Sequence, residues 1–413
     1  MNPDLIRWID KNLGRPFCFF LTIHRRLYSI LKKDPRHYKK PAKILFIKLI
    51  EQGSTVLAYP ALKKAKNFAG REHIFFLVLK KNRPILDILD IIPQANLIEV
   101  DSKDLISLIY SGFKALIRIR KEKIDAAIDM EFFSRTSAII SYLSGADKKV
   151  GLHQFTSDGP YRGDLFTHKL LYNPYLHASV FFVSLVEALN YAPPKDGTPM
   201  IFEVPKVTDS LPIFSPTEDE KELLIRKLEQ LPAGGRSASG GKCSSLDKPI
   251  IILNPNTADL LPIRRWPEEN FIKLGKLIQE GLPRSTILIT GTVKEKQKAD
   301  LIASKIGKAT SVAGLTSLKD LLTLYSIADI LVTNDSGPAL FSSLTPVKAI
   351  ILFGPETPLL YGKDKNHREN ISSNLVCSPC VNAYNHRKSS CKIGACLRNI
   401  TVENVYEKVM ALL

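Results

Sequence analysis

Three short polar segments carry the residue types and spacings most suited to chemistry. The first is Asn334-Asp335-Ser336-Gly337-Pro338, which follows an apolar run and precedes a stretch of small residues. Donors and acceptors at the carboxyl end of a buried strand, opening onto a helix start, suit a diphosphate and a sugar hydroxyl together. The second is Asn254-Pro255-Asn256-Thr257, followed by Arg264-Arg265-Trp266-Pro267. Asn256 and Thr257 offer short polar contacts to phosphate or hydroxyl groups, and Arg264 offers a permanent charge with paired donors. The bland alternative has one arginine facing solvent and Trp266 packing beneath a helix. The third is Glu51-Gln52-Gly53-Ser54. A glycine here permits a tight strand-to-helix turn, and Glu51 offers a carboxylate for general-base work, or else a solvated loop side chain.

A fourth cluster lies near the C-terminus. Cys377, Cys380, Cys391 and Cys396 fall within twenty residues, a set able to hold a structural zinc tetrahedrally. Reduced thiols and disulfides are the alternatives, and a cytoplasmic setting disfavours stable disulfides. Neither Gly-x-Gly-x-x-Gly nor Gly-x-x-x-x-Gly-Lys occurs, so neither dinucleotide nor P-loop binding is indicated.

These segments need a scaffold, and the hydrophobic pattern supplies one. Apolar runs at 43–48, 74–79, 96–100, 124–130 and 149–152 alternate with helical stretches at 55–68, 85–92, 105–121 and 134–143. The alternation restarts at Pro249 with strands at 249–256, 286–291, 328–334 and 349–353. Between these strands the pattern predicts helices at 267–280, 294–306 and 318–326, the last capped by Ser317 and Asp320. Alternating strands and helices predict mostly parallel sheets covered on both faces. The expected organisation is a basic extension over 1–40, an α/β domain over 41–190, and a connector over 191–249. A second α/β domain over 250–370 and a cysteine-containing cap over 371–413 follow. The connector contains a helix at 218–229 and a flexible glycine- and serine-rich loop at 232–241.

The chain has 413 residues, 45% hydrophobic and 24% charged, with a formal charge of +17. That composition describes folded domains rather than disorder. Residues 1–50 hold twelve Lys or Arg against Asp4, Asp10 and Asp34, so they supply +9 of the total. Such a balance favours a polyanionic partner: an anionic membrane surface, a phosphorylated substrate or nucleic acid. No nucleic-acid recognition motif accompanies the charge. The apolar burst at 17–23 is too short for a signal peptide or a membrane span. A cytoplasmic protein is therefore expected, with Trp8 and Phe17–Phe20 able to lie on the inner face of a membrane or to pack on the first domain.

Three blocks together resemble the ADP-heptose:lipopolysaccharide heptosyltransferases of glycosyltransferase family 9, over about residues 43–408. They are KILFIKLIEQGSTVLAYPALKKA, IILNPNTADLLPIRRWPEENFIKLGKLI and ADILVTNDSGPALFSSLTPVKAIILFGPETPLLYG, followed by the cysteine-containing tail. The resemblance implies a GT-B fold, with two Rossmann-like domains facing across a cleft. It implies an inverting transferase that needs no catalytic metal and uses a nucleotide-diphospho-sugar donor. Thr257, Arg264, Ser336 and Gly337 would meet the diphosphate, Asp335 the donor sugar, and Gly291 and Glu295 the nucleoside. Two positions depart from the family pattern. Gly53-Ser54 stands where the family has glycine and a catalytic aspartate, and Leu340 where it has a histidine.

The working expectation is transfer of heptose or a related sugar to a lipid-linked or phosphorylated surface glycan, with Glu51 taking the role that Ser54 cannot fill. A weakened or inactive sugar-nucleotide-binding member is the first alternative. A nucleic-acid-associated basic protein is the second.

Overall fold

A computed structural model describes residues 3–31, 40–156, 159–208, 210–231, 246–257, 261–362, 367–385 and 387–413. The expected flexible loop at 232–241 lies outside the described residues. The chain divides into two compact units, Met1–Ser210 with Ala383–His386, and Leu211–Asn382 with Arg387–Leu413.

The first unit begins with helices α1 (Pro3–Asn12) and α2 (Gly14–Leu31), then strand β1 (Ile44–Ile47). Next come α3 (Gln52–Val56), α4 (Tyr59–Ala69), β2 (Ile74–Leu79), α5 (Pro84–Leu89), β3 (Leu97–Val100) and α6 (Leu105–Lys121). The unit closes with β4 (Ala126–Asp129), α7 (Arg135–Leu143), β5 (Lys148–Leu152), β6 (His168–Leu170) and α8 (Ala178–Glu187). All six strands are parallel, in the order β3-β2-β1-β4-β5-β6. Helices cover both faces of such a sheet, which is why β1 and β2 read as unbroken apolar runs and are buried at every position.

The second unit repeats the arrangement. It comprises α9 (Glu218–Glu229), β7 (Ile250–Asn254), α10 (Glu268–Gly281), β8 (Thr286–Ile289), α11 (Lys296–Ile306), β9 (Ala309–Ser311) and α12 (Leu318–Ile327). Then follow β10 (Ile330–Asn334), α13 (Gly337–Phe341), β11 (Lys348–Phe353), α14 (Pro358–Tyr361), β12 (Arg368–Ser372), α15 (Ala395–Arg398) and α16 (Val402–Leu412). Its parallel sheet runs β12-β11-β10-β7-β8-β9. Counted from its own first strand, this is the doubly wound order of the first unit. Each sheet therefore reverses direction once, between β1 and β4 in one unit and between β7 and β10 in the other. Ligands of open α/β sheets bind outside the carboxyl ends of strands at that reversal.

Local chemistry explains most element boundaries. Asp104 caps α6 by accepting from the Ser107 amide, and Ser317 with Asp320 forms the expected capping box on α12. The predicted helix 55–68 is instead two helices, with Pro60 in the first turn of α4, where its missing N–H is harmless. Helix α8 starts at Ala178, after His177, whose ring accepts from the Ser179 amide. Strands β6, β9 and β12 were not expected. They are short and polar, and each ends at a sheet edge, where half the backbone groups need no strand partner.

α2 docks on α7 through a small cluster of Cys18, Ala138, Leu165 and Phe166. Gly163 makes that approach possible. It sits at φ +69°, and a Cβ there would lie 2.6 Å from the Cys18 carbonyl oxygen. Among the described residues no helix is long and apolar enough to cross a membrane. Gly163→Ala should cost about 2 kcal/mol or more through left-handed strain and this clash. Urea denaturation measures the loss, and alkylation of Cys18, fully buried in the native chain, should accelerate in the variant.

Candidate functional site

In the second unit, the polar segment from Asn334 to Pro338 lies at the carboxyl end of β10, beside β7 at the sheet reversal. Asn334 is fully buried. Its Oδ1 accepts from the Trp266 amide at 2.9 Å, and its Nδ2 donates to the Pro255 carbonyl at 3.0 Å. One side-chain amide thus joins β10, the loop after β7 and the arginine segment. Trp266 is held from below, its indole N–H donating to the Ile400 carbonyl at 2.9 Å and its ring edge against Phe271.

Arg264, two residues before Trp266, reaches Asp335. Its Nη2 donates to the Asp335 carbonyl and to Oδ2, both at 2.6 Å. Burial works against the guanidinium charge, but the carboxylates of Asp335 and Glu356 outweigh it, so the Arg264 pKa lies above its ordinary value. Glu356 is itself buried and lies 3.9 Å from Arg387. Two cations and two anions therefore sit together. Ser336 Oγ donates to the Asn334 carbonyl at 3.1 Å, and Gly337 opens α13, which is only five residues long. Leu340 is buried within that helix.

Asn256, Thr257, Gly291 and Glu295 form a second group beside the first. Asn256 Nδ2 donates to the Thr290 carbonyl at 3.1 Å, and Asn254 Nδ2 to Thr290 Oγ1 at 2.9 Å. A side chain at Gly291 would meet Asn256 Nδ2 at 2.8 Å. Arg265 braces the turn, donating from Nη2 to the Thr257 carbonyl at 3.0 Å and approaching Thr257 Oγ1 at 3.3 Å. Glu295 caps its own short helix by accepting from the Thr292 amide and hydroxyl. Asn256 and Glu295 thus serve as braces for this strand end.

In the first unit, the corresponding reversal lies between β1 and β4, with Ile47 paired to Asp129. Here the structure adds residues that the sequence reading did not single out. Glu131 is buried, and its Oε1 accepts from the amides of Leu49 at 2.6 Å and Ile50 at 2.8 Å. Asn82 Nδ2 donates to the Leu49 carbonyl at 2.7 Å. Clamped from both sides, the chain turns at Glu51, which adopts φ 63° and ψ 72°. That left-handed conformation is costly for a residue with a side chain.

Ser54 Oγ then lies 2.9 Å from the Glu51 carbonyl oxygen and 3.3 Å from carboxylate oxygen Oε2. Two of the expected catalytic residues are therefore in contact. Burial pushes the Glu131 carboxyl above its ordinary range. The Lys48 ammonium pulls it down, while Glu51 and Asp129 push it further up. Lys48 is 1% exposed, with Nζ 5.8 Å above the Phe182 ring. Beneath this layer Asp129 accepts from Glu131 N and Ser137 Oγ, both at 2.9 Å, and pairs with the fully buried Arg162. The signal for this layer was the Asp129-x-Glu131 pair ending the strand next to β1.

Of the four tail cysteines, Cys380 and Cys391 lie near enough to Cys396 for their charge to add to the upward push of burial on its pKa. Among the described residues, no three His, Cys, Asp or Glu side chains gather in a metal-binding group. The cysteines' environments differ. Cys377 is exposed, Cys396 is buried against Gly354, and Cys380 Sγ contacts Ser389 Oγ at 3.3 Å. Hydrogen bonds from the amides of Ile393, Gly394 and Ala395 lower the Cys391 pKa, whereas burial raises that of Cys396.

Two outcomes are expected. Asn334→Ala orphans a buried amide and a carbonyl and should cost about 2–4 kcal/mol, against about 1 kcal/mol for Ser336→Ala, both read by urea unfolding. At neutral pH iodoacetamide should label Cys391 well ahead of Cys18 and Cys396, which peptide mass spectrometry resolves.

Comparison with known proteins follows the same lines. The family model described as glycosyltransferase family 9 (heptosyltransferase) matches residues 113–390. Lipooligosaccharide heptosyltransferase 2 of Campylobacter jejuni is 25% identical over 171 residues, 40% of this chain and 52% of that protein. The chain thus spans about half the length of the curated relative. The solved Escherichia coli ADP-heptose lipopolysaccharide heptosyltransferase II superposes with a TM-score of 0.62 at 18% identity, covering 90% of this chain and 98% of that one. A family 9 glycosyltransferase from Veillonella parvula gives 0.66 at 17% identity, covering 91% and 99%. These likenesses show a fold of the GT-B class.

Proposed function

Since the chain belongs to glycosyltransferase family 9, we propose that it is an inverting glycosyltransferase moving heptose or a related sugar from an ADP-linked donor to a lipopolysaccharide-type acceptor. The relatives named above carry the donor and acceptor classes in their names. The acceptor is lipid-linked or phosphorylated, and the reaction takes place in the cytoplasm at the inner face of a membrane.

The observation that carries the reading is the contact between Glu51 and Ser54. The resemblance puts an aspartate base where Ser54 stands, and a serine hydroxyl is a poor base at neutral pH. The clamp of Glu131 on the two preceding amides turns Glu51 back so that its carboxylate lies 3.3 Å from that hydroxyl. The carboxylate is supplied from three residues earlier.

The chemistry then balances. The acceptor oxygen attacks the anomeric carbon as its proton passes to Glu51. The bond from that carbon to the β-phosphate oxygen breaks, and the pair of electrons leaves with ADP. Attack opposite the leaving group inverts the centre. Arg264, Thr257 and the Ser336–Gly337 amides offer the leaving diphosphate charge and donors. Arg264 then exchanges its bonds to Asp335 for bonds to phosphate, which frees Asp335 for sugar hydroxyls. Gly291, lacking a side chain, leaves room for the nucleoside, and Glu295 and Asn256 hold the wall of that pocket.

Release of ADP from ADP-heptose mixed with a truncated lipopolysaccharide acceptor tests the reading. Turnover should fall about 10²–10⁴-fold in Glu51→Gln. It should return in part in the double variant Glu51→Gln/Ser54→Asp, which restores a carboxylate at the family position. Donor binding without ADP release across a panel of acceptors would favour the inactive-member alternative. Unchanged turnover in Glu51→Gln would remove Glu51 as the base.

A further inference from the structure

The first unit carries an apolar surface that neither its core nor the proposed chemistry uses. α2 turns its smaller and more polar side inward. Cys18 and Thr22 are buried, Thr22 Oγ1 accepts from the Asp164 amide at 2.8 Å, and Arg25 donates to the Asp164 carbonyl at 2.7 Å. The opposite side of the helix bears Phe17, Phe20, Ile23, Leu27 and Ile30 at helical spacing, with Leu13 just before it, each between 42% and 80% exposed. A surface helix ordinarily shows the reverse polarity.

α6 repeats the pattern. Ala115 and Ile119 enter the core beneath it, with Leu108 packed alongside. Its outer stripe is Ile106, Ile109, Tyr110, Phe113 and Ile117, between 40% and 81% exposed. α6 and α7 pack on one face of the sheet, since Ala115, Ile119 and Ile140 share a cluster with Leu45, Leu77 and Ile98. α2 packs against α7. Both stripes therefore belong to the same side of the sheet.

The exposed charges beside these stripes are mostly of one sign. Lys11 precedes α2, Arg15 and Arg26 lie on it, and Lys114, Lys121 and Arg120, whose Nε donates to the Leu143 carbonyl, belong to α6. Lys114 lays its ammonium 4.4 Å from the Tyr110 ring centroid, the posture of an amphipathic stem with its charge at the rim. Asp104 is an exposed acid at the start of α6, engaged in capping. A second copy of the chain would bring these cations against their own equivalents across a two-fold axis. An anionic lipid surface satisfies both features, taking aromatic and aliphatic side chains to the headgroup boundary and the cations to lipid phosphate.

We infer that the outer faces of α2 and α6 together form a docking surface for an anionic phospholipid bilayer. The inference deepens the proposed use of a lipid-linked acceptor and rests on that reading for its purpose, while its geometry stands on the two helices. Neither helix spans the bilayer. Each lies in the interface plane.

Sedimentation of the full chain with vesicles of phosphatidylcholine, with and without phosphatidylglycerol, tests it. Binding is expected to the anionic vesicles, at least about tenfold stronger than to phosphatidylcholine alone. Phe17→Ser/Phe20→Ser and Ile109→Ser/Phe113→Ser should each weaken binding about tenfold or more. Because all four side chains are exposed, the melting temperature should hold in both variants. ADP release with a delipidated, soluble acceptor should also hold, whereas release with acceptor embedded in anionic vesicles should fall. No binding of the native chain to anionic vesicles overturns the inference, as does binding that survives both double substitutions. A concentration-dependent dimer abolished by the same substitutions also overturns it and assigns the face to a second copy. Vesicle binding without any ADP release would sink the transferase reading and leave the docking surface standing.

Discussion

The second unit depends on one buried amide. Asn334 has no solvent to fall back on, so its donor and acceptor must both be used within the protein. It uses them on different segments, the Pro255 carbonyl and the Trp266 amide. Aspartate would keep the acceptor and lose the donor, and an apolar residue would lose both. With Trp266 fixed at its amide and at its indole, Arg264 has a short, defined reach to Asp335. The permanent charge proposed for the leaving diphosphate is thus positioned by a neutral group that need not touch any ligand.

The first unit solves the same positional problem with charge. Its sheet has the same strand order, and its reversal point likewise joins the ends of the first and fourth strands. There Glu131 gathers two backbone amides, and the Lys48 ammonium opposes the upward push of burial on its carboxyl. Burying such groups is expensive unless their bonds are made. The energy of that network holds Glu51 in a conformation that a loop residue would otherwise leave. A backbone constraint thereby holds the Glu51 carboxylate 3.3 Å from the Ser54 hydroxyl.

Much of this was legible beforehand, for identifiable reasons. β7, β10 and β11 are buried on both faces, so their apolar runs stand out, and α6 and α9 have the predicted bounds. The polar turn from Asn334 to Pro338 was readable as the end of a buried strand because the apolar run stops there. Strands β6, β9 and β12 were not readable, since three to five partly polar residues at an edge carry no periodic signal. Glu131 was passed over because it directly follows a strand and resembles any polar terminator. The cysteine spacing suggested a metal but carried nothing about burial, which leaves Cys377 exposed and Cys396 buried.

Sequence alone determined what depends on neighbours along the chain: which buried apolar runs are strands, and where α12 is capped. Tertiary structure decided which residues act on each other. Asn334 and Pro255 are separated by 79 positions, and Glu131 and Leu49 by 82. No periodicity spans such distances. A polar side chain finds its partner through the order in which strands assemble, and only the assembled sheets show that Glu51 is bent toward Ser54 while Arg264 is turned toward Asp335.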